Sequence, residues 1–186
     1  MLTPVRLKDC KQCGSKFSPW SSTQTVCGRV CAAKLVKTEK AAEAKQDRAK
    51  RESLKTIPQL IKEAQVEFNK FIRTRDEREP CISCGKPPGD LSGLHAGRDA
   101  GHYRSTGAAA HLRFDERNCH AQCVHCNQHL AGNVVKYRIG LVARIGLDAV
   151  EALEADNEVI RWDRDTLRQI KTIYRAKTRA LKKEHS

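Results

Sequence analysis

Four cysteine pairs constrain this chain more than any other feature of its sequence. Cys10-x2-Cys13 and Cys27-x3-Cys31 stand near its start with thirteen residues between them, and Cys81-x2-Cys84 and Cys123-x2-Cys126 follow with 38 residues between them. A turn of this kind presents two thiolates to one ion, and two such turns complete a tetrahedral zinc site. Nine cysteines are an odd number, which suits a disulfide framework poorly, and in a reducing compartment paired cysteines read first as metal ligands. The spacing predicts two structural Zn²⁺ sites: Cys10, Cys13, Cys27 and Cys31 at one, and Cys81, Cys84, Cys123 and Cys126 at the other. A closed four-thiolate site leaves no coordination position open, so both are expected to staple the fold rather than do chemistry. Cys119, the ninth, is expected to be a small buried side chain.

The composition explains the need for staples. Aromatic residues are 5% and apolar residues 39% of 186 positions, which is thin material for a core. The formal charge is +13, so a polyanion is the expected partner, nucleic acid first and an anionic membrane surface second. The opening "MLTPVRLKDC" lacks the apolar region of a signal peptide, and no later run reaches membrane-spanning length. The expected place is the cytoplasm, with no membrane.

The fold class expected is α+β, small and zinc-stapled, in four segments. Residues 1–33 form the amino-terminal four-cysteine module. Residues 34–79 are a charged helical linker whose first half, "KLVKTEKAAEAKQDRAKRESLK", reads as a solvated helix. Pro58 opens a second helix, in which Leu60, Ile61, Ala64, Phe68, Phe71 and Ile72 recur at helical spacing and can face a core. Residues 80–133 carry the other five cysteines and six of the seven histidines, with turns and short strands. Residues 134–186 are a basic helical region: two short helices, then a last one with Leu167, Ile170, Ile173, Tyr174 and Leu181 on one face. Residues 161–186 hold nine Lys/Arg against three Asp/Glu, either a solvated face or a phosphate-contacting one.

Between and just after the second pair of cysteine turns lie "DAGHYRSTGAA", "LRFDERN", "QCVHCNQH" and "AGN". The order His102, Asn118, then a polar residue after the last cysteine turn resembles the HNH nucleases, in which a ββα unit is often clasped by a four-cysteine zinc. The wider set of motifs, from "PCISCG" to the basic tail, resembles the NinG (Rap) recombination proteins of lambda-like phages. The resemblance covers most of residues 80–175, and the amino-terminal module also fits it. It implies a central ββα-metal (HNH-like) core over residues 80–133 and a structure-specific endonuclease acting on branched DNA, such as Holliday junctions and D-loops.

Physical chemistry gives the residues their expected roles. Phosphodiester hydrolysis needs an activated water, a cation at the phosphate and accurate placement. His102 is the candidate general base, since a neutral imidazole takes a proton from water near neutral pH. Asn118 cannot titrate; it can fix the His102 tautomer or the loop between the two strands. A catalytic Mg²⁺ or Mn²⁺ is expected. Its candidate ligands are Asp99, Asn127 and His129, with His120 in reserve. Here the chain departs from the common HNH pattern: Gly101 stands directly before the base where an acid or His is usual, and Asn127 occupies the place of the usual final His. His95, His111, His120 and His125 are read as structural. Arg104, Arg113 and Arg117 flank the site and can clamp a DNA strand. A homodimer would match the near two-fold symmetry of a junction, and other recombination proteins are candidate partners. Two rival readings are a non-catalytic zinc-stabilised DNA-binding recombination factor and an HNH enzyme that cuts ordinary duplex.

Overall fold

A computed structural model describes residues 7–88 and 97–184. His95 lies outside the described residues. The chain divides into two bodies, residues 1–55 and 56–186.

The first body is the cysteine module and the helix that leaves it. Two-residue strands β1 (Lys8–Asp9) and β2 (Lys16–Phe17) pair antiparallel around the Cys10–Cys13 turn. Helix α1 (Arg29–Leu54) begins inside the second cysteine turn, so Cys31 sits in its first helical turn rather than in a preceding loop. None of its residues is buried, as expected for a sequence of Ala, Lys, Glu and Arg with a weak apolar stripe.

In the second body, α2 (Ile57–Arg75) starts behind Thr56, whose N–H donates to Gln59 Oε1 at 2.8 Å, half of a capping box. Its face of Leu60, Ala64, Phe68, Phe71 and Ile72 is buried. Strands β3 (Arg98–His102) and β4 (Cys119–Cys123) pair antiparallel, Arg98 opposite Cys123 and His102 opposite Cys119. A 3₁₀ turn over Ala110–Phe114 lies between them, and a π-type turn over His125–His129 follows. Then come α3 (Val134–Ile145), α4 (Leu147–Ala155) and α5 (Arg164–Glu184).

The β3–β4 hairpin is covered on both faces. Because side chains alternate along a strand, Ala100, His102 and Cys119 share one face; Cys119 and Ala100 pack there into the cluster of Leu60, Phe68, Phe71, Phe114, Leu167 and Tyr174 built by α2 and α5. The opposite face carries Asp99, Gly101, His120 and Gln122 and meets α3, whose fully buried Tyr137 donates from its hydroxyl to the Gly101 carbonyl at 2.8 Å. Helices α2 and α5 are also pinned by Lys171–Glu63 at 2.7 Å and Arg175–Glu67 at 2.8 Å. Part of the basic tail is thus spent on helix pairing. Ile173, placed by its sequence on the apolar face of α5, is 50% exposed, and the buried positions are Leu167, Tyr174 and Thr178.

Helix α3 approaches the second cysteine turn at Gly140, where an added Cβ would lie 1.9 Å from the Ile82 carbonyl oxygen. Alanine is favoured over glycine in a helix by about 1 kcal/mol, but a backbone atom cannot yield as a flexible side chain can. Gly140→Ala is therefore expected to destabilise the second body by about 2 kcal/mol, read as a lower urea midpoint at unchanged m-value. An unchanged or higher midpoint would contradict this packing.

Candidate functional site

The two cysteine turns are built alike. The Cys10 N–H donates to the Ser15 carbonyl at 2.9 Å and the Gly14 N–H returns to the Cys10 carbonyl at 2.8 Å; the Cys81 N–H donates to Lys86 at 2.8 Å and the Gly85 N–H to Cys81 at 2.9 Å. Gly14 and Gly85 have φ of +76° and +69°, the left-handed conformation that lets each turn close. Both turns also direct backbone N–H groups at sulfur: Cys27 N to Cys10 Sγ and Cys123 N to Cys81 Sγ, each at 3.3 Å.

The cysteines are free, and in each set the four Sγ atoms lie within 4.8 Å of one another. Cys13–Cys27 and Cys84–Cys123 are 3.8 Å apart and Cys27–Cys31 3.5 Å. A tetrahedral Zn²⁺ with bonds of about 2.3 Å sets its sulfurs about 3.8 Å apart, so both sets fit the ion. The thiols show the conflict that an ion would relieve. Burial opposes ionisation of Cys10, but the N–H groups of Cys27, Cys13 and Gln12 outweigh it and bring that thiol down to about 6. Its neighbour Cys31 is pushed up to about 12, first by its hydrogen bond with Cys27 and then by burial. In the second set Cys81 falls to about 7 by its backbone donors against burial, and burial first pushes Cys123 up to about 12. Four thiolates this close ionise together only around a cation. Four thiolates would leave an ion at either centre no open coordination position, which is the arrangement of a structural site.

The residues expected to act on a substrate are distributed differently from the sequence expectation. His102 ends β3. Its Nε2 donates to the Arg113 carbonyl at 3.0 Å, its Nδ1 faces Cys119 Sγ at 3.7 Å, and its ring lies 6.0 Å from that of Phe68. Burial pushes the imidazole below its ordinary value, and the Arg113 charge adds to this against the Arg113 carbonyl bond. His102 is thus held neutral near pH 7. Fully buried Asn118 accepts the Arg104 N–H at 2.8 Å and donates to the Arg104 and Leu112 carbonyls at 3.0 and 3.2 Å. Of its two expected roles, it performs the second, locking the loop between the strands.

Asp99 lies on the other face of the hairpin. Its Oδ2 accepts from Asn127 Nδ2 at 2.9 Å and Gln128 Nε2 at 2.8 Å. His129 stacks its ring 5.9 Å from that of His125. The structure therefore joins Asp99 to Asn127 but does not bring them, or His129, to His102. Three steps along a strand change faces and span about 10 Å. Among the described residues, the two cysteine sets are the only groups of three or more His, Cys, Asp or Glu side chains placed to share an ion. The donors expected to hold a catalytic Mg²⁺ or Mn²⁺ do not form one site with His102. At Gly101, where the common pattern has an acid or His, an added Cβ would meet Gln122 Oε1 at 2.2 Å and Gln122 Cβ at 3.0 Å, so a side chain there would require Gln122 to move.

The three arginines also part company. Arg104 donates to the Leu153 and Asp156 carbonyls at the end of α4 and to Asn157 Oδ1, a structural tie to a helix carboxyl end. Arg117 forms a two-bond pair with Asp115, the closer at 2.7 Å. Arg113 donates only to neutral oxygens, Gln65 Oε1 at 3.2 Å and the Thr106 carbonyl at 3.1 Å, and its Nε is buried without a partner. Among the described residues no carboxylate pairs with it, so an uncompensated positive charge stands beside His102.

Sequence reasoning missed one buried network. Asp76, 4% exposed, accepts Arg75 at 2.7 Å and the Ala121 N–H at 2.8 Å, with His120 Nδ1 3.6 Å and Arg144 3.8 Å away. His120, the reserve ligand, is consumed here: Arg75 Nη2 lies 3.0 Å from its Nδ1, and its Nε2 reaches the Arg117 carbonyl at 3.2 Å. Burial opposes ionisation of Asp76, but His120, Arg75 and the Ala121 N–H outweigh it and hold the carboxyl far below its usual range. Asp76→Ala leaves buried charge unpaired and is expected to cost about 3 kcal/mol. The sign in pH follows from the depressed value: the Asp76 contribution is full above the unfolded carboxylate pKa near 4 and is lost as pH falls below it. Urea unfolding at pH 7 and pH 3 should show the gap between wild type and variant narrowing in acid; a gap constant with pH would contradict the assignment.

Two separate four-cysteine centres with the geometry to hold zinc, one on a small basic module and one clasping a two-stranded sheet between helices, define a protein of helices and small sheets. Among the described residues no helix is long and apolar enough to cross a membrane. The family described as "Bacteriophage Lambda NinG protein" matches residues 2–184. The chain is 42% identical to "Protein ninG" of Escherichia phage 933W and 40% identical to that of Escherichia phage lambda, each over 100% of this chain and 98% of the relative. With "Protein ninG" of Salmonella phage P22 it shares 48% over 72% of this chain, which is 63% of that protein and so less than two thirds of its length. The chain belongs to the NinG family of phage proteins. No solved structure matches it.

Proposed function

We propose that this protein is a structure-specific DNA endonuclease of phage homologous recombination, built on an HNH-like core, that hydrolyses phosphodiester bonds in branched DNA such as Holliday junctions and D-loops. The observation that carries the reading is the pairing of His102 with Arg113. A neutral imidazole whose Nε2–H is already donated has Nδ1 as its proton-accepting atom; Nδ1 faces the buried Cys119 sulfur at 3.7 Å, so a water must take the place of that contact for His102 to act as a general base. The unpaired guanidinium beside it supplies positive charge where a phosphate would gain negative charge. Asn118 acts through the loop that carries Arg113, holding that residue against His102. A divalent ion, Mg²⁺ or Mn²⁺, would neutralise the phosphate and the leaving oxygen. Such ions often take one or two protein oxygens and rely on substrate phosphates for the rest, so addition of Mg²⁺ or Mn²⁺ belongs in the assay.

Affinity would come from phosphate contacts drawn from the +13 charge, and branch selectivity from junction shape and flexibility. A homodimer and recruitment by other recombination proteins remain part of the proposal, with action in the host cytoplasm. One observation favours a second reading, a non-catalytic DNA-binding recombination factor: Asp99 and Asn127, two of the donors expected at a catalytic ion, are joined on the face of the hairpin opposite His102, away from the candidate base. The test is a side-by-side incubation of purified zinc-loaded protein with a four-way junction, a linear duplex and a single strand, with Mg²⁺ or Mn²⁺. The nuclease reading predicts cleavage of the junction in preference to the duplex. Binding without cleavage of any substrate would establish the second reading, and equal cleavage of duplex would remove the branch selectivity.

A further inference from the structure

The amino-terminal body contains a feature that the hairpin chemistry does not use. Trp20 is 87% exposed, although a large aromatic side chain ordinarily buries most of its surface. Its loop is cross-linked rather than loose. The Trp20 N–H donates to Gln24 Oε1 at 2.9 Å, Gln24 Nε2 donates to the Val26 carbonyl at 2.8 Å, and the Gln24 N–H closes on Ser21 at 3.1 Å. Lys8 Nζ reaches under the loop to the Ser22 and Gln24 carbonyls, and the Lys11 N–H holds Thr25 at 2.9 Å. The loop runs between the two cysteine turns, so the thiolate centre fixes both its ends. With the loop backbone already ordered, stacking on the indole costs only the freedom of that side chain.

The charge around it selects the partner. Residues 7–33 hold Lys8, Lys11, Lys16 and Arg29 against a single carboxylate, Asp9, and Lys11, Lys16 and Arg29 are exposed. A basic surface tracks a phosphate backbone while an aromatic face receives a base that has left its stack. A base inside duplex has both faces covered by its neighbours. Lipid fits less well, because α1 leaves the module with Glu39, Glu43 and Asp47 among its lysines, a polar cylinder with no lipid-facing stripe.

We propose that the amino-terminal thiolate module is a nucleic-acid-binding site for unpaired strands, with Trp20 as the platform on which an unstacked base lies. The inference goes beyond the cleavage reading and requires neither His102 nor a catalytic ion, so it is tested by binding in buffer with no added Mg²⁺.

The chain has two tryptophans. Trp162, partly buried with its ring 5.1 Å from that of Phe114, is replaced by Phe, so that full-length Trp162→Phe reports on Trp20 alone. Titration with (dT)20 is expected to quench its emission in step with binding measured by anisotropy of labelled (dT)20, while a 20-bp duplex binds without that quenching. In the otherwise wild-type chain, Trp20→Ala is expected to weaken (dT)20 about tenfold, with Trp20→Phe losing less, and to leave duplex affinity and the content of two zincs unchanged. The proposal is overturned if (dT)20 binds with no change in Trp20 emission, if wild-type protein does not bind (dT)20, or if Trp20→Ala weakens duplex and single strand alike. A response to vesicles of phosphatidylglycerol and phosphatidylcholine, with none to (dT)20, would assign the surface to lipid instead. Because no step depends on cleavage, a protein inactive as a nuclease still gives a decisive answer.

Discussion

Cys81→Ser is expected to lower the zinc content from two ions to one per chain and to abolish the cooperative unfolding transition of residues 56–186. Cys81 is 2% exposed, its N–H closes the first turn of the centre on Lys86, and its sulfur accepts the Cys123 N–H. The next residue, Ile82, packs into the cluster of Leu112, Tyr137, Leu141, Val150 and Leu153, and its N–H pairs with the Ala121 carbonyl of β4 at 3.2 Å. Losing the ion therefore frees the turn, the sheet edge and the α3 contact together. Structural zinc contributes about 10–16 kcal/mol in small zinc-bound peptides, against a total stability of about 5–15 kcal/mol for a domain; the staple outweighs what would remain. Cys13→Ser makes the complementary prediction. It should also remove one zinc, but should leave the main unfolding transition in place, because residues 1–55 form a separate body. Zinc content by mass spectrometry and near-ultraviolet circular dichroism during thermal unfolding check both. Two retained zincs in either variant, or a Cys81→Ser protein that unfolds as wild type does, would contradict the assignment of the centres.

What the sequence made legible was chiefly local. A cysteine turn closes within six residues, so the spacing of Cys10–Cys13 and Cys81–Cys84 carries its geometry. The α2 face was legible because an apolar stripe at helical spacing can only bury one side. The fates of the arginines were not. Arg104 finds its partners 49 and 52 residues away at the end of α4, and nothing near Arg104 in sequence announces them. Asp76 sits in "TRDERE", the highly charged end of the helical linker, yet the closing of α2 onto β4 buries it. Face alternation was available in principle: Asp99 and His102, an odd number of steps apart on a five-residue strand, must point to opposite sides. Their nearness along the chain suggested one cage where the pleat makes two places. Thr178 and Ile173 show the same limit in α5, where packing against α2 buries the threonine and leaves the isoleucine half in water.

The proposed cleavage depends on His102 as the base. Its replacement is expected to lower the cleavage rate by about 10²–10⁴, the usual share of a general base. His102→Ala alone would also open a gap beside Phe68, so His102→Gln, which keeps bulk and a donor for the Arg113 carbonyl but cannot take a proton at neutral pH, is the sharper variant. Single-turnover cleavage of a four-way junction with Mg²⁺ by wild type and His102→Gln, each carrying two zincs and binding the junction equally, is the most direct measurement. A general-base role for His102 predicts cleavage by wild type and a loss of at least about 100-fold in the variant. Equal rates for the two, or no cleavage by wild type, would contradict it.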